Sequence, residues 1–258
     1  MSCQAQFDEF TFSGRGAAMG GTSVALSDHA SLLRSVAGLA FSHEIAASMG
    51  YRQDYLLREL AHQWVAVAIP TTAMASAMAS YWHYGNSGYN EQRVTVGYAQ
   101  AVSKALSFGA TIDYLYSGTS DARFDASHQL TFSVSMQAML GRCWLLGMRL
   151  FNPLMFRMGD GSDCKLPALM NIGVAYHPIE AVTTTLEFEQ HSYHLVRMRG
   201  GIEYTFQHAL SARIGMMSAP WQFTFGAGWQ GSHLGIDVMA ATHPTLGVTP
   251  QVGLSVWF

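Results

Sequence analysis

The sequence predicts an all-β fold, a transmembrane antiparallel β-barrel of about fourteen strands with a short N-terminal plug segment. Three observations lead there. Apolar residues reach 49% while charged residues reach only 12%, about half the usual soluble share. No run of about 18 consecutive apolar residues occurs, so no helix is long and greasy enough to cross a bilayer. From about residue 42 onward, apolar residues recur at every second position, the period of a strand whose two faces meet different surroundings. Composition alone would also admit a buried α/β core. The 25 glycines against 7 prolines favour many strands.

The clearest alternation is at 128–138. Leu130, Phe132, Val134, Met136 and Ala138 are apolar, and Gln129, Thr131, Ser133, Ser135 and Gln137 are polar. A helix would smear these residues around its axis; a strand sorts them onto two faces. The first set is expected to face lipid and the second the lumen. The same pattern sets Ile202, Tyr204 and Phe206 against Glu203, Thr205 and Gln207, and Trp221, Phe223, Phe225 and Trp229 against Gln222, Thr224 and Gln230. Read this way, the strands are 42–51, 61–70, 73–84, 91–100, 105–116, 128–139, 142–151, 168–177, 181–190, 196–206, 209–217, 221–230, 233–241 and 250–258. Most have the length of about 9–11 residues that a tilted strand needs to cross a membrane.

The connections read as short turns, such as 177–180 and Ala219-Pro220, mixed with longer loops at 117–127 and 152–167. Aromatic residues cluster near strand ends (Tyr81, Trp82, Tyr84, Tyr114, Tyr116, Trp144, Tyr176, Trp221, Trp257 and Phe258), as interfacial girdles require. A last strand closing on Phe258 resembles the C-terminal assembly signal of outer-membrane barrels.

The first residues differ. Cys3-Gln4-Ala5 places small residues where a secretory signal ends, so residues 1–5 read as a signal-peptide remnant. A chance alanine and a lipidated Cys3 are the other readings. Residues 6–41 are glycine-rich and moderately apolar. They are too short for a domain and suit a plug segment packed against the inner wall of the barrel at 42–258. Ser27-Asp28 reads as a cap entering a short helix. A glycine-flanked Arg15 inside a barrel needs an inward carboxylate, for which Asp113, Glu187 and Glu203 are candidates.

This segment resembles the start of the PorV/PorQ family, similar in fold to the FadL long-chain fatty-acid channels. Arg15, Met19, Gly20, Gly21, Ala25, Asp28, Ala37, Gly38 and Leu39 fall on the family pattern. Ser35 and Val36 stand where the pattern has Asn-Pro. The resemblance implies a fourteen-stranded, plugged outer-membrane barrel serving type IX secretion, with partners such as the PorK/PorN ring or cargo-attachment components.

Other chemistry reads as plain structure. The net charge of −3, with no basic run, argues against nucleic acid. The three cysteines lack metal-ligand spacing; Cys143 reads as part of a strand and Cys164 as part of a loop, and a bridge between them is one option. Eleven histidines, including His191 and His194, are scattered at strand ends and loops, and no metal or cofactor is expected. His83-Tyr84-Gly85-Asn86-Ser87 is the best local serine–histidine pairing, and a turn explains it. The chain therefore reads as a non-enzymatic barrel in contact with outer-membrane lipid. Its expected role is an accessory or scaffold in type IX secretion; the alternative is a FadL-like channel for hydrophobic small molecules. Short loops and a short plug leave little room for a ligand, which favours the scaffold. A lateral gap with an apolar pocket would favour the channel.

Overall fold

The computed structural model describes residues 13–27, 35–121, 126–154, 166–192, 195–207 and 209–258. Fourteen strands form one closed antiparallel barrel in which each strand pairs with its sequence neighbours. They are β1 (Ala46–Gln53), β2 (Ala61–Thr72), β3 (Ala75–Gly85), β4 (Tyr89–Ser103), β5 (Leu106–Thr119), β6 (Ser127–Leu140) and β7 (Trp144–Phe151). The second half is β8 (Leu169–Ile179), β9 (Val182–His191), β10 (Arg197–Phe206), β11 (Leu210–Met217), β12 (Gln222–Gln230), β13 (Leu234–His243) and β14 (Gly247–Trp257). Closure runs from Ala46↔Trp257 to Arg52↔Gln251 between β1 and β14. It leaves no open edge, which a lipid environment demands because hydrocarbon satisfies no backbone polar group. Among the described residues no helix is long and apolar enough to cross a membrane.

The two faces obey the alternation. Leu130 and Val134 point outward and are 43% and 39% exposed, whereas Thr131 and Ser133 are 3% and 4% exposed inside. Outward positions elsewhere are apolar too, including Ile112, Ile172, Ile202, Ile214, Phe225 and Val252. The outer face is greasy and most polar positions face inward, beside an apolar cluster that includes Trp64, Met78, Trp82 and Phe151; the architecture is that of a multi-pass outer-membrane barrel.

Several expectations change at the edges. β1 begins at Ala46 rather than 42, because Val36–Phe41 forms a 3-10 helix and the chain needs the next residues to reach the wall. Trp82, Tyr84 and Trp257 are buried, facing the lumen, and so leave the proposed aromatic girdles. Tyr81 and Trp82 are adjacent, and neighbours on a strand cannot share a face. Cys143 lies in the turn before β7 as a free thiol, not inside a strand. The helix expected from Asp28 lies outside the described residues, as do Cys3, Cys164, His194 and residues 1–5.

The barrel's two chain ends meet where Ile45 and Phe258 exchange backbone hydrogen bonds of 3.1 and 2.9 Å. By the outer-membrane habit this near end is periplasmic. Both longer connections, 120–126 and 152–168, lie at the far end. That end also carries short ones such as the turn after Gly85, so the expected asymmetry holds only in part.

Candidate functional site

The lumen is filled by the chain's own N-terminal region. Ser13 accepts a 3.1 Å hydrogen bond from the Gly16 amide and caps a one-turn helix, α1 (Gly14–Ala18). α1 packs against the inner faces of β11 to β14, and the Val36–Phe41 turn against those of β3 to β6. After α1, residues 19–26 run from β10–β12 to the inner faces of β6 and β7. Gly20 and Gly21 adopt left-handed φ values of 76° and 82°, which other residues resist. The bend brings Gly20 so close to β11 that a Cβ on it would lie 2.5 Å from the Met216 carbonyl oxygen.

The wall meets this inner segment with glycines and with polar side chains. A Cβ at Gly201 would lie 2.5 Å from Met19, one at Gly215 2.1 Å from the Gly20 nitrogen, and one at Gly109 2.7 Å from the Ala37 nitrogen. The backbone groups that the segment cannot pair within itself find partners there, as buried polar groups must. The Thr224 hydroxyl accepts from the Gly20 amide at 3.0 Å and donates to the Ala18 carbonyl at 2.7 Å. Glu187 Oε2 accepts from the Ser23 and Val24 amides at 2.7 and 3.1 Å. Gln137 Nε2 donates to the carbonyls of Val24 and Leu26, and Ser135 accepts from the Ala37 amide.

Charges complete the attachment. Arg15 grips Glu203 with two hydrogen bonds, Nε to Oε2 at 3.0 Å and Nη2 to Oε1 at 2.6 Å. Glu203 also accepts from Arg213, whose Nη1 reaches Asp237. Nearby, Arg199 donates to Glu189 at 2.7 Å and to the Gly21 carbonyl at 2.9 Å. Asn171 bridges Glu187 and Glu189. Across the lumen, Arg93, Thr95 and Thr111 converge on the fully buried Asp113. Of the carboxylates offered to Arg15 by the sequence, Glu203 takes it, Glu187 holds the segment's backbone, and Asp113 belongs to the wall. Met19, Gly20 and Gly21 sit against β10 to β12, while Gly38 and Leu39 lie near the opposite wall, where Leu39 joins Trp64, Met78, Trp82 and Phe151 in an apolar cluster. Phe258 pairs with Ile45 at the near-end rim.

Three cavities lined by described residues bear on this arrangement. At the far end, a hollow of about 150 Å³ is bounded by Arg52, Tyr55, His62, Tyr84, Arg199 and His243, with Ala17 and Gly21 also on its wall. Asp54, in the β1–β2 connection, anchors this rim by accepting from Arg52 Nε at 2.6 Å and pairing with His62 at 3.1 Å. Burial pushes its carboxyl pKa up, but the hydrogen bond to His62 and the charge of Arg52 outweigh burial and hold it below the ordinary value. On the near side of α1, a polar cavity of about 320 Å³ contains Arg15, Glu203, Arg213 and Asp237. The third, of about 540 Å³, opens on the barrel's outer surface over β1, β2 and β14. Met49, Tyr51, Val65, Tyr81 and Leu254 surround it, and the paired Gly50 and Gly253 lie at its centre. The Trp64 indole lies where a side chain on Gly50 would be, 2.0 Å from that Cβ position. At this point the wall is backbone, backed by the Trp64 ring behind Gly50 and by the Gly14 end of α1 behind Gly253.

The glycines at 109, 147, 201, 215 and 226, and the pair at the β1–β14 seam, were missed as site residues in the sequence. A signal was present, since the wall glycines under the segment fall on the lumenal phase of their strands. The serine–histidine candidate resolves into a turn in which Asn86 accepts from the amides of Gly88 and Tyr89.

No family model and no curated protein matches the chain. Solved structures do. The toluene transporter TbuX of Ralstonia pickettii superposes with a TM-score of 0.76 at 13% identity, covering 97% of this chain and 98% of that one. The Pseudomonas putida toluene transporter TodX gives 0.70 at 12% identity, covering 98% and 99%. A Pseudomonas aeruginosa FadL homologue gives 0.68 at 10% identity, covering 95% and 98%. The chain therefore has the fold of the FadL-like outer-membrane barrels.

Proposed function

We propose that this barrel is a channel for small hydrophobic molecules, which enter at the far end and leave sideways into the membrane past the β1–β14 seam. The observation that carries this reading is the apolar cavity over Gly50 and Gly253, where the seam carries no side chain of its own and Trp64 stands behind it. The inner segment acts as the plug, closing the straight aqueous route and steering an apolar solute toward the wall. The fold shared with two toluene transporters supports the reading. No observation favours the type IX scaffold over it, and the cavities leave more room than short loops suggest.

The test is uptake of radiolabelled toluene by bacteria producing the barrel in their outer membrane. Val252→Trp, at an outward position lining this cavity, should fill it and reduce the added uptake at least fivefold, while the protein stays folded by heat-modifiable electrophoresis. Wild-type uptake no faster than in cells lacking the barrel sinks the proposal.

A further inference from the structure

At the seam, Trp64 takes the place of a missing side chain. Gly50 pairs with Gly253 on β14 and with Trp64 on β2. Three indole atoms of Trp64 lie 2.0, 2.4 and 2.6 Å from where a Cβ on Gly50 would sit, and they are its three nearest neighbours. The ring fills space that any other residue at position 50 would claim for itself. Trp64 is 5% exposed, yet it belongs to both sides of the wall. It borders the outer cavity beside Met49, Val65 and Leu254, and it is part of the buried lumenal cluster with Leu39 and Trp82.

The same residue ends a ladder of rings that begins at the far-end cavity. His62 and Tyr84 border that cavity and sit opposite each other on β2 and β3, with 4.5 Å between ring centroids. Two residues deeper on the same strands, Trp64 pairs with Trp82. The Trp82 ring lies 5.6 Å from His62 and 6.1 Å from Tyr84, nearly parallel to the latter at 4°. The two-residue period of a strand puts all four on the lumenal face. Past Trp64 the ladder stops. The next lumenal positions toward the near end on β1, β2 and β3 are the small residues Ser48, Ala66 and Ser80. The rings therefore run from the far-end cavity to the point where the seam has no side chain.

We propose that Trp64 is the gate of the lateral route: a flat solute displaces the indole and takes its place over Gly50, and this exchange sets a preference for flat rings over flexible chains. The inference rests on the channel reading and deepens it by naming the residue that decides what passes. An aromatic solute takes up the edge and face contacts that the indole leaves. A saturated chain does not restore them, and it gives up conformational freedom on the way.

Two measurements test the gate. In cells producing the full-length barrel, the added uptake of radiolabelled toluene should exceed that of octane at least fivefold. Trp64→Ala should reduce this ratio at least threefold, and Trp64→Phe, which keeps a ring, should retain more than half of it. If Trp64→Ala fails to give a heat-modifiable barrel, Trp82→Leu replaces it and should reduce the ratio at least twofold. In detergent, the barrel labelled with 5-fluorotryptophan is titrated with toluene and read by fluorine NMR. The Trp64 resonance, assigned by its loss in Trp64→Phe, should shift saturably while that of Trp257 stays in place. Equal uptake of octane and toluene, a ratio unchanged in the folded variants, or a Trp64 resonance that does not respond overturns the gate. Toluene uptake that persists with any of these results leaves the channel standing; wild-type uptake no faster than in cells lacking the barrel rejects the channel and the gate together.

Discussion

The Val24 carbonyl oxygen lies 1.9 Å from where a Cβ on Gly147 would sit. No side chain fits between them, so the inner segment reaches this depth only because β7 has a glycine on its lumenal face.

Gly147→Ala should therefore displace the segment without preventing barrel assembly. Trypsin should then cut after Arg15 in the folded protein, and ion conductance in planar bilayers should rise. If Gly147→Ala resists trypsin as the wild type does and conducts no more, the segment is not held at this point.

Arg15→Ala should loosen the segment but leave the barrel folded. It removes two charged hydrogen bonds, for a loss of about 1.5–3 kcal/mol, while Glu203 keeps Arg213 as a partner. Glu203→Ala should cost more, about 3–5 kcal/mol, because Arg15 loses its bidentate acceptor and Arg213 one of its two. Urea unfolding in detergent should rank the two variants in that order; the reverse order removes Arg15–Glu203 as the main tie.

Val134→Arg should impair assembly by placing a charge toward lipid, at about 2–4 kcal/mol. Ser133 on the other face is a poor comparison, since it is packed 2.6 Å from the Thr111 hydroxyl. Ser211 borders the near-end cavity of about 320 Å³, and Ser211→Arg should be tolerated. Equal folded yields from both arginine variants would contradict a lipid-facing β6.

The β1–β2 connection should come loose in acid. Asp54 has its pKa lowered from 3.8, so it binds protons more weakly folded than unfolded. Its stabilisation is then complete above 3.8 and is lost as pH falls through the lowered value. Hydrogen exchange at Tyr55, whose amide donates to Thr249 at 3.1 Å, should accelerate there beyond the intrinsic pH effect. Asp54→Asn should show the fast exchange at neutral pH. A flat profile in the wild type rules out this anchor.

The strands were legible because alternation is local. Leu130 to Gln137 declare both faces of β6 within eight positions, whatever strands lie beside it. Boundaries were less so: β4 extends to Ser103 and β14 starts at Gly247, since strand ends are set by pairing with neighbours rather than by their own pattern. The lumen was partly legible. An inward carboxylate for Arg15 could be foreseen from the cost of a lone buried charge, but the choice of Glu203 could not, because 188 residues separate the two.

The sequence alone determined a membrane barrel, since few charges and a two-residue period leave a chain one way to satisfy every backbone hydrogen bond in lipid. Only the tertiary structure decided what the inside does. Gly147 meets Val24, Arg15 pairs with Glu203, and Gly50 pairs with Gly253 in front of Trp64. Each relationship joins residues from distant parts of the chain, and barrel closure and the path of the inner segment create them; no local periodicity encodes either.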